Sequence, residues 1–149
     1  MEDLNSSVAV DRVMNAVAVG TTAQNSAAVD TAGYEGVRFI VSMGTITDGT
    51  PKIKAQQDVV SGMGAAADLA GSGITLATTD DNKAVVLDIR RPLERYVRCV
   101  VDRSVGAPVT GAVIDGILAE LYGPGVKAVS HAVAVAGSKS LSSPAEGTA

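Results

Sequence analysis

The chain has 149 residues, enough for one core, with 46% hydrophobic residues but only 3% aromatic, so alanine and valine supply most of the apolar content. Its net charge of −4 at pH 7 argues against nucleic acid as the main partner, which would require a basic surface. One cysteine excludes an internal disulfide framework, and one cysteine with one histidine excludes the common structural zinc sets.

The N-terminus, Met1-Glu2-Asp3-Leu4-Asn5, is acidic where a secretory signal would be basic, and no apolar stretch approaches the roughly 20 residues that span a bilayer. The expectation is a protein made in a cytosol-like compartment, with no membrane partner. Ser7–Val19 follows as a small-residue, valine-alternating stretch, either an edge strand or an extended arm. Turn signals then recur at short intervals, among them Ala32-Gly33-Tyr34, Asp48-Gly49-Thr50-Pro51, Gly71-Ser72-Gly73, Asp80-Asp81-Asn82, Gly106-Ala107-Pro108 and Gly123-Pro124-Gly125. Short valine-rich segments between such signals predict an all-β fold, an antiparallel β-sandwich or a barrel.

Four segments alternate with period two, which separates an inner from an outer face. In Gly36–Met43, Val37, Phe39, Val41 and Met43 share a face opposite Arg38 and Ser42, and Ile40 breaks the polar side. Ile53 and Ala55 alternate with Lys52, Lys54 and Gln56, and Val85, Leu87 and Ile89 oppose Ala84, Val86 and Asp88. Val97, Cys99 and Val101 oppose Tyr96, Arg98, Val100 and Asp102. Ala65–Leu69 reads as one helical turn or a loop. Val113, Ile114, Ile117, Leu118 and Leu121 fit a helical stripe, but Gly111 and Gly116 weaken a helix by about 1 kcal/mol each. A strand over Ile114–Tyr122 is preferred. Val126–Ala136 is a second edge strand or arm, and Gly137–Ala149 is a polar, flexible tail. The organisation expected is an N-terminal arm or edge strand over 1–25, a sandwich over 26–125, and a C-terminal arm and tail over 126–149.

Catalytic chemistry finds little support. His131 lies outside any nucleophile pattern, and Cys99 falls on an apolar face, where a thiol is a small hydrophobe. Asp80-Asp81-Asn82 lacks the spacing of a calcium loop and is better explained as turn chemistry. No metal or cofactor is implied. Arg90, Arg91, Arg95, Arg98 and Arg103 crowd into a short stretch with Asp88, Glu94 and Asp102. They form either a solvated strand pair that blunts an edge or a docking rim for a carboxylate-rich protein surface.

Two stretches carry a family resemblance. One runs from Thr31-Ala32-Gly33-Tyr34-Glu35-Gly36-Val37-Arg38-Phe39 to Asp48-Gly49-Thr50; the other runs from Asp80-Asp81-Asn82-Lys83 through Arg90-Arg91-Pro92 to Arg95-Tyr96-Val97-Arg98-Cys99 and Arg103. Over residues 26–125 the chain resembles the small capsid cement (decoration) proteins of tailed bacteriophages. That resemblance implies a jelly roll on the capsid exterior, clamping adjacent major capsid protein subunits, often as a dimer or trimer, with no catalytic residues to carry over. The two valine-rich terminal stretches then become clamping arms, because an extended segment can add a strand to a partner's sheet edge through its backbone. Val126, Val129, Val133 and Val135, with the five arginines, are the candidate partner-binding residues. The expected location is the virion, after synthesis in the bacterial host cytoplasm. The alternatives are another virion component, such as a tail or fibre, and a carbohydrate-binding sandwich module, for which Tyr34, Phe39, Tyr96 and Tyr122 are the only possible platform. A small hydrolase is the third class.

Overall fold

Period-two alternation becomes packing in a computed structural model that describes residues 3–105, 111–126, 129–140 and 146. After one helical turn at Leu4–Ser7, capped by the Asp3 carboxylate accepting from the Asn5 amide, the described chain runs as strands and connections with a single short 3-10 turn at Thr78–Asp80. The strands are β1 (Val8–Met14), β2 (Val17–Gly20), β3 (Gln24–Asn25), β4 (Val29–Asp30), β5 (Gly36–Asp48), β6 (Lys52–Asp58), β7 (Ala67–Asp68), β8 (Ile74–Thr75), β9 (Ala84–Arg90), β10 (Tyr96–Asp102) and β11 (Gly111–Tyr122).

Two antiparallel sheets pack face to face. One has the order β1-β11-β5-β9, with β2 also on β11; the other has the order β3-β10-β6-β7, with β4 on β10 and β8 on β6. Counting β1/β2, β3/β4 and β7/β8 as one position each gives eight positions. Strands from the first half of the chain pair with strands from the second half: β1/β2 with β11, β3/β4 with β10, β5 with β9, and β6 with β7/β8. A hairpin zipped along its length and then rolled so that successive pairs fall in alternate sheets is a jelly roll. Here the Asp48-Gly49 turn, with Gly49 at φ +81, carries the chain from one sheet to the other.

The inner faces match the alternation. Val37, Phe39, Val41 and Met43 of β5 are buried with Leu87 of β9 and Ile114, Ile117 and Ala119 of β11. Ile53 and Ala55 of β6 and Val97, Cys99 and Val101 of β10 are buried on the facing sheet. Each large aliphatic side chain so buried contributes about 1.5–3 kcal/mol. Val100, on the outward face, is buried as well.

The ambiguous segments resolve through tertiary contacts. The stretch readable as helix or strand is β11, central in its sheet, and its glycines sit at irregularities of register: Gly116 has φ +147, beside a shift between Ile114 and Gly116. Glycine supplies that backbone state without steric cost and marks the bulge. Ala65–Leu69 is neither helical turn nor plain loop, since Ala67–Asp68 pairs with β6. Ser7–Val19 is no free arm. Its β1 is a sheet-edge strand whose Ala9, Val13 and Met14 are buried. The Gly106-Ala107-Pro108 turn and most of the expected tail, 141–145 and 147–149, lie outside the described residues.

Candidate docking surfaces

The five arginines, close in sequence, separate in space. Arg90 and Arg91 both reach Glu35 Oε1, at 2.9 and 3.6 Å. Arg95 lays its fork on Asp30, Nε and Nη2 donating at 2.8 and 2.7 Å, with its guanidinium 5.3 Å from the centre of the Tyr96 ring. That hydrogen-bonded guanidinium holds the Asp30 carboxyl below its ordinary range. Between these two pairs lies a shallow groove of about 560 Å³ at the β9–β10 turn, where Leu93 is almost fully exposed. Arg98 stands on the outward face of β10 and donates through both Nε and Nη2 to Gln56 Oε1, its register neighbour on β6.

Arg103 departs from the docking-rim expectation because it is buried. Its guanidinium donates to the carbonyls of Thr22, Ala18 and Ala112 at 2.9, 2.8 and 2.8 Å. Its burial and these three backbone acceptors turn it into the fold, away from an exposed rim. Desolvation lowers its pKa, the direction expected for a cation taken out of water.

The C-terminal segment lies along its own chain. Val129 N donates to Ser6 O at 3.3 Å and Ala132 N to Val10 O at 3.0 Å, while Val10 N donates to His131 Nδ1 at 3.1 Å. Residues 129–132 therefore cover part of the outer edge of β1, and His131 acts as an acceptor for a strand amide. No pattern around His131 in the sequence foretold that partner, 121 residues away. Val133 and Val126 are exposed; Val129 and Val135 are half-buried.

Sequence reasoning missed a second surface. Register aligns outward residues across the sheet that contains β5. Arg12, Leu118, Ile40 and Val86 form one row, and Val10, Glu120, Arg38 and Asp88 form the next. The charged row is paired internally: Arg38 bonds Glu120, and Asp88 accepts from the Tyr122 hydroxyl at 2.7 Å. Burial, assisted by that bond, pushes the Tyr122 hydroxyl up to about 12. The other row is apolar beyond Arg12, with Leu118 41% and Val86 55% exposed. A depression of about 270 Å³ runs along Leu118, Ile40, Ser42 and Gly116, lined also by the charged Arg12 and Asp115. Ile40 and Val86, apolar residues on the outward sides of their strands, were the visible signals.

Cys99 and the Asp80-Asp81-Asn82 turn are tied into the fold. Burial pushes the Cys99 thiol up to about 12, far from the thiolate a nucleophile requires. In the Asp80-Asp81-Asn82 turn, Asp80 accepts from the Ala77 amide and Asp81 from the Ile46 amide, which ties the start of β9 to β5. Among the described residues, no group of three or more His, Cys, Asp or Glu is placed to hold a metal ion, and no helix is long and apolar enough to cross a membrane.

No protein-family profile matches the chain, and no curated protein matches it. Among solved structures, it is similar to a chain described by the words "Bacillus endospore appendages form a novel family of disulfide-linked pili", with a TM-score of 0.44 and 13% identity. The similarity covers 78% of this chain and 88% of that one, and at this score and identity it assigns neither a family nor a function.

Proposed function

We propose that this chain is a non-enzymatic structural protein of a virion, binding the outside of a phage capsid and cementing adjacent major capsid protein subunits. The observation that carries this reading is the outer face of the β1-β11-β5-β9 sheet, where the row Leu118, Ile40 and Val86 is open while the charged row beside it is paired within the chain. Apolar side chains on a stiff sheet lose little conformational entropy on docking, and small neighbours such as Ser42, Ala84 and Gly116 leave the surface flat enough for a broad partner. Many copies on a repeating shell make a modest contact effective. The sequence resemblance over 26–125 points the same way.

The test is attachment. The protein should sediment stoichiometrically with assembled particles and come off in mild denaturant before the shell breaks. Leu118→Lys, on an exposed position, should lower occupancy at least tenfold while the isolated variant keeps its unfolding midpoint. Occupancy unchanged by Leu118→Lys would remove this face from the contact, and a chain that never sediments with particles would end the reading.

A further inference from the structure

A β-sandwich has four sheet edges, and each open edge is a template for another strand. Three edges of this molecule are blunted. The β1 edge carries the C-terminal segment on Ser6 and Val10. Both edges of the other sheet are broken into two-residue strands, β3 and β4 on one side and β7 and β8 on the other. The fourth edge is β9. It has seven residues, no proline, and an unbroken register with β5 from Gly36↔Arg90 to Ser42↔Ala84.

The direction of its backbone groups follows from two bonds. Met43 N donates to Lys83 O at 3.0 Å, and Arg91 N donates to Glu35 O at 2.8 Å, so odd-numbered residues here turn their backbone toward β5. Antiparallel pairing alternates these directions. Ala84, Val86, Asp88 and Arg90 therefore turn their N–H and C=O groups outward. Among the described residues, these groups make no backbone bond outside the β5 ladder.

We propose that two copies of this chain pair edge to edge through β9, antiparallel about a two-fold axis at Val86, so that their β1-β11-β5-β9 sheets become one continuous sheet. Self-pairing must oppose even-numbered residues to keep inner side chains inside. A centre at Asp88 sets that carboxylate against its own copy. A centre at Leu87 sets Val86 against Asp88 and Lys83 against Arg91, opposing like charges at both ends. A centre at Val86 sets Val86 against its copy and Ala84 against Asp88. It also brings the Asp80-Asp81-Asn82 turn of each chain toward the Arg90-Arg91 end of the other, where both guanidinium groups are largely exposed. The row Leu118-Ile40-Val86 then runs on into the same row of the second copy. Such a contact is isologous and closes on itself, which also withdraws a flat, aggregation-prone edge from solution.

This pairing requires no capsid, so it is tested on the isolated full-length chain, apart from the attachment experiment. Sedimentation equilibrium should give twice the 15.0 kDa chain mass. Val86→Lys, which puts a charge on the axis, should give the chain mass with an unchanged far-UV spectrum. Val86→Cys should be joined to its copy by a short bis-maleimide, since the two residues at the axis face each other and Cys99 is buried. A wild-type chain that stays at 15.0 kDa up to about 100 µM overturns the proposal, as that range would register even weak pairing. So does a dimer that survives Val86→Lys, or one that Val86→Cys fails to cross-link.

Discussion

Arg103 and Asp58 show how single buried charges organise this fold. Arg103 ties β2, the segment after it, and β11 together through three carbonyls, and the wide planar fork of a guanidinium reaches separated acceptors that the compact ammonium of a lysine does not span. Arg103→Ala strands these carbonyls and should cost roughly 2–4 kcal/mol by urea denaturation, with Arg103→Lys recovering only part of the loss. Asp58 ends β6 with its side chain buried and accepts from the amides of Ala65 and Val60 at 2.9 and 3.2 Å, which folds the intervening loop back on itself. The Ala65 amide bond, opposed by desolvation, holds its carboxyl below the ordinary 3.8. A depressed folded-state pKa adds stability that is complete above the unfolded value and is lost as pH falls through the folded one. Wild type should therefore lose melting temperature more steeply than Asp58→Asn between pH 4 and pH 2 (about the carboxylate range). Parallel curves would show that Asp58 contributes nothing to the acid transition.

At the level of elements, the two valine-rich ends have different fates despite similar composition. β1 places Ala9, Val13 and Met14 in the core and pairs with β11 from Val8↔Tyr122 to Met14↔Ile117. The C-terminal segment contributes backbone bonds and a histidine acceptor but no buried hydrophobic side chain among its described residues. Deleting residues 1–20 should abolish cooperative unfolding, because three core side chains and both β1 and β2 go together. Deleting residues 126–149 should leave a folded chain with a melting temperature lowered by only a few degrees, about what 1 kcal/mol represents in a domain of this size. Circular dichroism melts separate the two outcomes. A C-terminal truncation that fails to fold would make the segment part of the core fold instead of a cover for β1.

Across the whole molecule, alternation in the sequence determined which residues face inward: Val37, Phe39, Val41, Ile53, Val97, Cys99 and Val101 were all legible, because period two is a property of one strand alone. The same reasoning could not distribute the arginines. Arg91 and Arg103 each stand one residue past the end of a strand, β9 and β10, yet one is exposed and the other is enclosed by carbonyls from Ala18, Thr22 and Ala112. Nor could it find the open row of Leu118, Ile40 and Val86, whose members come from three strands and meet only when register is set. The sequence by itself determined an all-β chain with identifiable inner faces. Only the tertiary structure decided the jelly-roll wrapping, the burial of Arg103, the covering of β1 and the exposure of β9, because partner choice and register depend on contacts between residues far apart in the chain, which local periodicity does not encode.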